Sequence, residues 1–344
     1  MKLGIIGLSG AGKATVFEAL TKQTLGASKK GDNRIAIIRV PDKRIDILSE
    51  KYKPKKTIYA QVGYFLPDLK NRSKETSCVE DVWAKVRDCD ALIHVIRNFS
   101  GFGIEKPAPY IDFLNTDQNL ILADLFVVEK RIQKLKQDRQ RNKKNNPAEL
   151  PLLQECLKNL ENEIPLRKST ELSSAHLLKG YAFLTAKPML LLFNNEDENE
   201  AVPDVKNLTD KEECMIIRGK LEQELVQMSE KDAADFLEEF NITASATDRV
   251  IKKSYDMLGL ISFFTVGEDE VRAWTIRKGT KAADGAEVIH SDIKKGFIRA
   301  EVLSYDDFID SGSYQESKKK GVVRLEGKTY EIKDGDIINF RFNV

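Results

Sequence analysis

Two hydrophobic rhythms alternate through most of the chain and give way to a third pattern near Leu260. Lys2 to Ile6 is a short, apolar, β-rich run that ends in glycines, and the residues after it place Val16, Phe17 and Leu20 at helical spacing. Arg34 to Val40 reads as a strand. Pro41 then suits the first turn of a helix carrying Ile45, Leu48 and Tyr52 on one face. Thr57 to Leu66 predicts another strand. A helix around Val82 to Val86 leads into ALIHVIRNF, residues 91–99, whose unbroken apolar run predicts a strand buried on both faces. MLLLFN, after Lys187-Pro188, is a second such run, and CMIIR, Cys214 to Arg218, is the expected last central strand. Strands alternating with helices imply right-handed crossovers and a mostly parallel sheet, the pattern of a doubly wound α/β domain.

The alternation is interrupted in the middle. From Asp124 onward Leu125, Val128, Ile132 and Leu135 step by three and four, and after NNPAELP the pattern resumes at Leu153, Leu157, Leu160 and Ile164. Two heptad-like stripes around a Pro/Asn break predict an antiparallel helical hairpin inserted into the α/β domain. Beyond Leu260, short alternating strands with Gly and Asp-Gly turns predict a separate β-rich domain of roughly eighty residues. The expected organisation is an α/β domain over residues 1–122 and 180–261, a hairpin over 123–179 and a β-rich domain over 262–344.

Composition changes this picture only locally. The 344 residues carry a net charge of +1, so the whole-protein field does not mark a nucleic-acid binder. The first arm of the hairpin is different: Lys130, Arg131, Lys134, Lys136, Arg139, Arg141, Lys143 and Lys144 stand against one acidic residue. Such a run is either a solvated face near the hairpin tip or a contact for RNA. Cys78, Cys89, Cys156 and Cys214 lie far apart with no C-x-x-C pair, which argues against zinc and against a disulfide framework. No cleavable apolar segment or membrane-length run is read, so the expectation is a cytoplasmic monomer without a membrane partner. His94 is expected as a hydrogen-bonded core histidine, His290 as a structural or surface group, Trp274 as core, and Lys318-Lys319-Lys320 as an exposed turn.

The chemistry concentrates in GLSGAGKAT, Gly7 to Thr15. Its G-x-x-x-x-G-K spacing, between a strand and a helix, is that of a phosphate-binding loop. Backbone N–H groups across Ser9, Gly10, Ala11, Gly12, Lys13, Ala14 and Thr15 would turn toward phosphate, with Lys13 adding charge and the helix start its positive end. The residue after the lysine normally carries a hydroxyl that ligates Mg²⁺, and Ala14 cannot do so. Thr15, about 100° further round the helix, is the remaining candidate metal ligand. A base reader of the N/T-K-x-D kind is expected after the second buried strand. Asn194, Asn195 and Asp197 occupy that place without the lysine, so ATP or GTP is the expected ligand.

These residues, together with VPDKRIDILSEKYKPKKT (Val40 to Thr57), DCDALIHVIRNF (Asp88 to Phe99) and NTDQNLILADLFVVEKRI (Asn115 to Ile132), resemble the Obg-like ATPases of bacterial YchF type. EVRAWTIRKGT, IHSDIKKGFIRAE and KDGDIINFRFNV extend the resemblance through the C-terminal part, so it covers nearly the whole chain. It implies a P-loop G domain, an inserted helical hairpin and a C-terminal ubiquitin-like β-grasp TGS domain. It further implies ATP preferred over GTP, slow Mg²⁺-dependent hydrolysis, and association with ribosomes or RNA in translation or stress responses.

The departures from the family pattern cluster in the site. The family loop reads G-x-P-N-V-G-K-S-T. Here Gly10 replaces an asparagine that helps bind potassium, and Ala14 replaces the magnesium-binding serine. The switch I string Cys-Thr-Ile-(Asp/Glu)-Pro has no counterpart between Gly26 and Ile38, and the switch II string Asp-Ile-Ala-Gly falls on Leu66-Pro67-Asp68-Leu69. Asp197 stands where the family has glutamate; it is the carboxylate that guanine readers use, so the resemblance does not decide between ATP and GTP. The sequence favours a nucleotide binder with weak or lost hydrolysis that acts as a ribosome- or RNA-associated factor. Two alternatives stand beside it: an active hydrolase in which Thr15 and Asp68 take over the metal, and a scaffold that binds no nucleotide.

Overall fold

The computed structural model describes residues 1–22, 33–68, 82–101, 106–239 and 245–343. Most of the switch I replacement, Leu69 and Cys78 therefore lie outside the described residues. The chain divides into two compact units, 1–37 with 63–250 and 38–62 with 251–344.

The first seven strands are β1 (Lys2–Ile6), β2 (Arg34–Arg39), β3 (Lys56–Ile58), β4 (Gln61–Leu66), β5 (Ala91–Asn98), β6 (Met189–Asn195) and β7 (Glu213–Ile217). All but β3 form one sheet in the order β2-β4-β1-β5-β6-β7. The pairings β4–β1, β1–β5, β5–β6 and β6–β7 are all parallel. The continuous apolar runs of β5 and β6 occupy the middle of this sheet and are buried along almost their whole length, as a strand covered on both faces must be. Cys214 to Arg218, expected in the centre, instead contributes β7 at the sheet edge, beside β6 alone. A first helix, Lys13–Thr21, follows β1 and buries Val16, Phe17 and Leu20 as the spacing required.

His94 sits mid-sheet on β5, in register with Ile6 and Leu191. It is buried as expected but not hydrogen-bonded: both ring nitrogens lack a partner among the described residues. Burial drives its pKa down to about 3, with the nearby Arg167 and Lys13 cations acting the same way.

The hairpin is longer than the periodicity suggested. Its first helix runs Pro109–Gln140, with Pro109 in the first turn where its missing N–H is harmless, and so spans about 48 Å. The second arm, Glu149–Glu161, starts inside NNPAELP because Pro151 is tolerated in a first turn. Ile121, Val128, Ile132 and Leu135 pack against Leu153, Cys156 and Leu160, whereas Ile164, expected in this stripe, lies past the helix end and is exposed. Fully buried Asp124 fixes the hairpin to the chain that returns from it. It accepts from Arg87 Nη1 (2.9 Å), Leu184 N (3.1 Å), Thr185 N (2.7 Å) and Thr185 Oγ1 (2.8 Å).

The second unit is built on a mixed sheet of β8 (Leu260–Val266), β9 (Glu270–Arg277), β10 (Phe297–Leu303), β11 (Arg324–Glu326) and β12 (Ile337–Phe342), ordered β11-β10-β12-β8-β9-β3. β8–β9 and β10–β12 are antiparallel, while β12–β8 is parallel. Phe263, Ile276, Phe297, Val302, Ile338 and Phe340 form its core together with Ala282 and Ala286 of the helix Ala282–Ile289.

Several expectations change here. Thr57 to Leu66 is not one strand: β3 pairs in parallel with β9 and β4 with β1, so the chain breaks between them at Tyr59 and Ala60. Residues 38–62, placed in the first domain by their order in the chain, accordingly group with the second unit. Trp274 packs half-buried against this core, stacked on Phe263, with its Nε1 donating to Thr265 Oγ1 at 2.9 Å and the Arg272 guanidinium lying 3.7 Å over its ring. Lys318 and Lys319 end the helix Tyr314–Lys319 rather than a turn, and His290 caps the short helix Ser291–Lys295.

His94 makes a measurable prediction. Its folded pKa, about 3, lies below the ordinary 6.5, so its contribution to stability is present above pH 6.5 and lost as pH falls toward 3. Urea unfolding between pH 7 and 4 should show His94→Leu losing stability less steeply than the parent, by about 1.4 kcal/mol per pH unit. Identical slopes would exclude a buried neutral imidazole.

Candidate functional site

The carboxyl ends of β1, β5 and β6 converge where ligands bind in open parallel sheets. β1 runs into Gly7, whose φ of 142° places its Cα so close to β5 that a Cβ would lie 2.3 Å from the Val95 carbonyl oxygen. Gly12, at φ 85°, is equally enforced: a Cβ there would meet Asn194 Nδ2 at 2.2 Å. Between them the loop turns with Ala11 buried and Ser9 and Gly10 exposed. Lys13 opens the helix with its side chain folded back onto its own loop, Nζ donating to the Gly7 carbonyl at 2.9 Å and the Leu8 carbonyl at 2.6 Å. Burial lowers its pKa from 10.5 to about 8. An ammonium held by two neutral carbonyls at the positive end of a helix has the charge and the donors to receive an anion.

Ala14 is exposed beside Lys13 and brings only a methyl group. Leu66, at the switch II aspartate position, is buried at the end of β4. Asp68 donates its backbone N–H to Asn33 Oδ1 at 3.1 Å. Thr15, the candidate metal ligand, lines a different space: a cleft of about 390 Å³ shared with Gly12, Phe99, Ser100, Asn195, Asp197, Lys220 and Gln223. The phosphate-loop residues are thus brought together, but Ala14 and Leu66 supply no oxygen donor where the family pattern has two.

The expected base readers divide into framework and cleft. Asn194 is buried and its amide is committed twice, Nδ2 donating to the Ala11 carbonyl at 3.1 Å and Oδ1 accepting from Gly219 N at 3.0 Å. Asn195 turns into its own loop, Nδ2 donating to the Asn199 and Ala201 carbonyls and Oδ1 accepting from Asn98. Both amides are thus engaged with the framework while lining the cleft. Asp197 shares the cleft lining with both amides: its Oδ1 accepts from Leu221 N at 3.1 Å, and Oδ2 lies 4.0 Å from Lys220 Nζ. Gly219, Lys220 and Gln223 were missed in the sequence. Their signal was present, since Gly219-Lys220 follows one residue after the strand that ends at Ile217.

The basic arm of the hairpin also divides. Arg131 is not a free contact, because its guanidinium grips Glu149 of the other arm at 2.8 and 3.0 Å, with Tyr181 OH on the same carboxylate. Lys143 pairs with Asp138 at 3.4 Å. Lys130, Lys134, Lys136, Arg139, Arg141 and Lys144 remain exposed along the arm and its tip.

Comparison with known proteins is consistent over the whole chain. The family model YchF-GTPase_C, described as a protein of unknown function (DUF933), matches residues 260–343. The "Ribosome-binding ATPase YchF" of Bacillus subtilis (strain 168) is 38% identical over 366 residues, covering 99% of each chain. The protein of the same name from Haemophilus ducreyi is 36% identical, covering 100% of this chain and 99% of its own. In three dimensions the Schizosaccharomyces pombe YchF GTPase superposes with a TM-score of 0.86 at 30% identity, covering 99% of this chain and 97% of that one. Matched over 99% of its length by a relative at 38% identity and by a solved structure at a TM-score of 0.86, the chain belongs to the YchF-type Obg-like ATPase family.

Proposed function

We propose that this protein binds a purine nucleotide in the Gly7–Thr15 loop and the adjoining cleft, associates with the ribosome through RNA contacts, and hydrolyses its nucleotide weakly or not at all. The observation that carries the binding reading is Lys13, a buried ammonium whose two partners are loop carbonyls at the start of a helix. Phosphate oxygens would take the loop N–H groups and draw Lys13 off those carbonyls, restoring its full charge. The relatives' printed names support ribosome association, and the exposed cations of the hairpin offer a surface for phosphate backbone. We read the second unit as the family's TGS domain.

The donor set does not fit Mg²⁺ in the usual position. Ala14 has no oxygen, Leu66 is an apolar side chain, and Thr15 opens onto the cleft beside Asp197. Phosphoryl transfer depends on the metal and on groups that orient water and sense the γ-phosphate. Holding a polyphosphate needs only the loop backbone and the lysine, so binding survives changes that remove turnover.

Three measurements test this reading. Because burial lowers the Lys13 pKa to about 8 and bound phosphate would hold it charged, binding above pH 8 takes up a proton. Nucleotide affinity from calorimetry should therefore fall by up to about tenfold per pH unit above pH 8; a flat profile to pH 9.5 would remove Lys13 from the site.

Turnover by the parent should equal that of Lys13→Ala within error. Ala14→Ser should tighten binding in Mg²⁺ without raising turnover by more than about tenfold, because Leu66 remains. Parent turnover well above the Lys13→Ala background would overturn the proposed loss of hydrolysis.

Co-sedimentation with ribosomes should weaken steeply with salt. Replacing Lys134, Lys136 and Arg139 with glutamate should flatten the log–log salt slope by about 2–3. No pelleting of the parent at low salt would refute the ribosome contact.

A further inference from the structure

Two large apolar side chains on the hairpin serve no core. Within residues 120–128 of the helix Pro109–Gln140, Leu120, Ile121, Ala123, Leu125, Val127 and Val128 pack into the sheet or hairpin core, and only Leu122 and Phe126 are exposed. They are 62% and 67% exposed and lie one turn apart on the same face. Ile111, 52% exposed, precedes them on that face by about three turns. We infer that this face is a protein-docking ridge, with Leu122 and Phe126 seated in an apolar groove that ends in carboxylates on a protein of the ribosome. This inference rests on the proposed ribosome association.

Asp124 lies between the two anchors in sequence and is fully buried on the opposite side of the helix. Its bonds from Arg87, Leu184 N and both the N–H and hydroxyl of Thr185 hold the helix at this turn. Leu122 and Phe126 are therefore presented from a fixed backbone, and docking them costs little ordering. A helix with apolar anchors at i and i+4 is the form that an apolar protein groove reads. Double-stranded RNA presents phosphates and 2′-hydroxyls, with no apolar recess for the pair. An unpaired base would stack on Phe126 but leave Leu122 in water.

The charge of the partner follows from what continues the ridge. The i+4 row through Leu122 and Phe126 runs on to Lys130 and Lys134, both exposed. Glu129 stands beside the row, but Asp138, the next acid along the helix, is buried and paired with Lys143. A groove that takes the two anchors and ends in Asp or Glu would meet Lys130 and Lys134 with opposite charge.

The test is co-sedimentation with purified ribosomes over a range of salt, comparing the parent with the double variant Leu122→Gln, Phe126→Gln. Glutamine suits an exposed helical position, and an unchanged melting temperature checks the fold. The double variant should bind at least about tenfold more weakly, as expected for the loss of two anchors. Its log–log salt slope should equal the parent's, because every cation is kept. A diazirine amino acid in place of Phe126 should give, on irradiation of the complex, an adduct of higher mass that survives ribonuclease. Loss of that adduct to ribonuclease would assign the face to RNA and overturn the inference, as would undiminished binding by the folded double variant. No pelleting of the parent would overturn the ribosome association itself, and this inference with it.

Discussion

The site hangs on one buried amide. Asn194, next to last in β6, joins three pieces of chain that are remote in sequence: the phosphate loop through the Ala11 carbonyl, its own strand, and the helix beginning at Gly219. Both neighbouring glycines are dictated by it, since a Cβ at Gly12 or at Gly219 would run into the Asn194 side chain at 2.2 and 2.7 Å. A buried amide with both ends satisfied in a low-dielectric setting is worth keeping, and one left half-satisfied is costly. The loop, the strand end and the helix start are therefore held at fixed spacing before any ligand arrives. The Asp197 carboxylate inherits that geometry, because it is bonded to Leu221, two residues beyond Gly219.

The hairpin is attached by the same logic with charges in place of amides. Asp124 has four donors around one fully buried carboxylate, including Arg87. Further toward the base of the arm, Arg167 bridges Asp117 and Glu212, each at 2.9 Å. Removing one partner of such a pair leaves an uncompensated buried charge, which costs more than the pair itself contributes. These contacts fix the emergence of a helix about 48 Å long without constraining its far end. Its exposed cations lie toward that end, from Lys130 onward.

Strand and helix existence was legible because burial writes a period into the sequence, and β1, β5, β6 and the first helix match it. What the period could not convey was pairing. Thr57 to Leu66 alternates like one strand, yet its two ends are claimed by different sheets. The edge position of β7 likewise depends on which strands lie beside it, which no local pattern carries. In the site, Gly7 to Lys13 could be read because steric necessity restricts those residue types. The framework bonds of Asn194, Asn195 and Arg131 could not, since an amide or guanidinium engaged by the framework has the same letter as one that is not.

Lys13 decides between a loop that survives only as architecture and one that still meets a ligand. Gly7, Gly12 and Asn194 would be required by the packing alone, so their presence says nothing about nucleotide. A buried ammonium is different. Depressing its pKa from 10.5 to about 8 corresponds to about 3 kcal/mol of unfavourable burial, and two neutral carbonyls do not offset it. An apolar side chain of similar length would fill the same space without that penalty. An anion in the loop removes the penalty by giving Lys13 a counter-charge, whereas Ala14 and Leu66 offer no such compensation for a metal. The electrostatics of Lys13 thus favour the proposed polyphosphate binding over the bare scaffold.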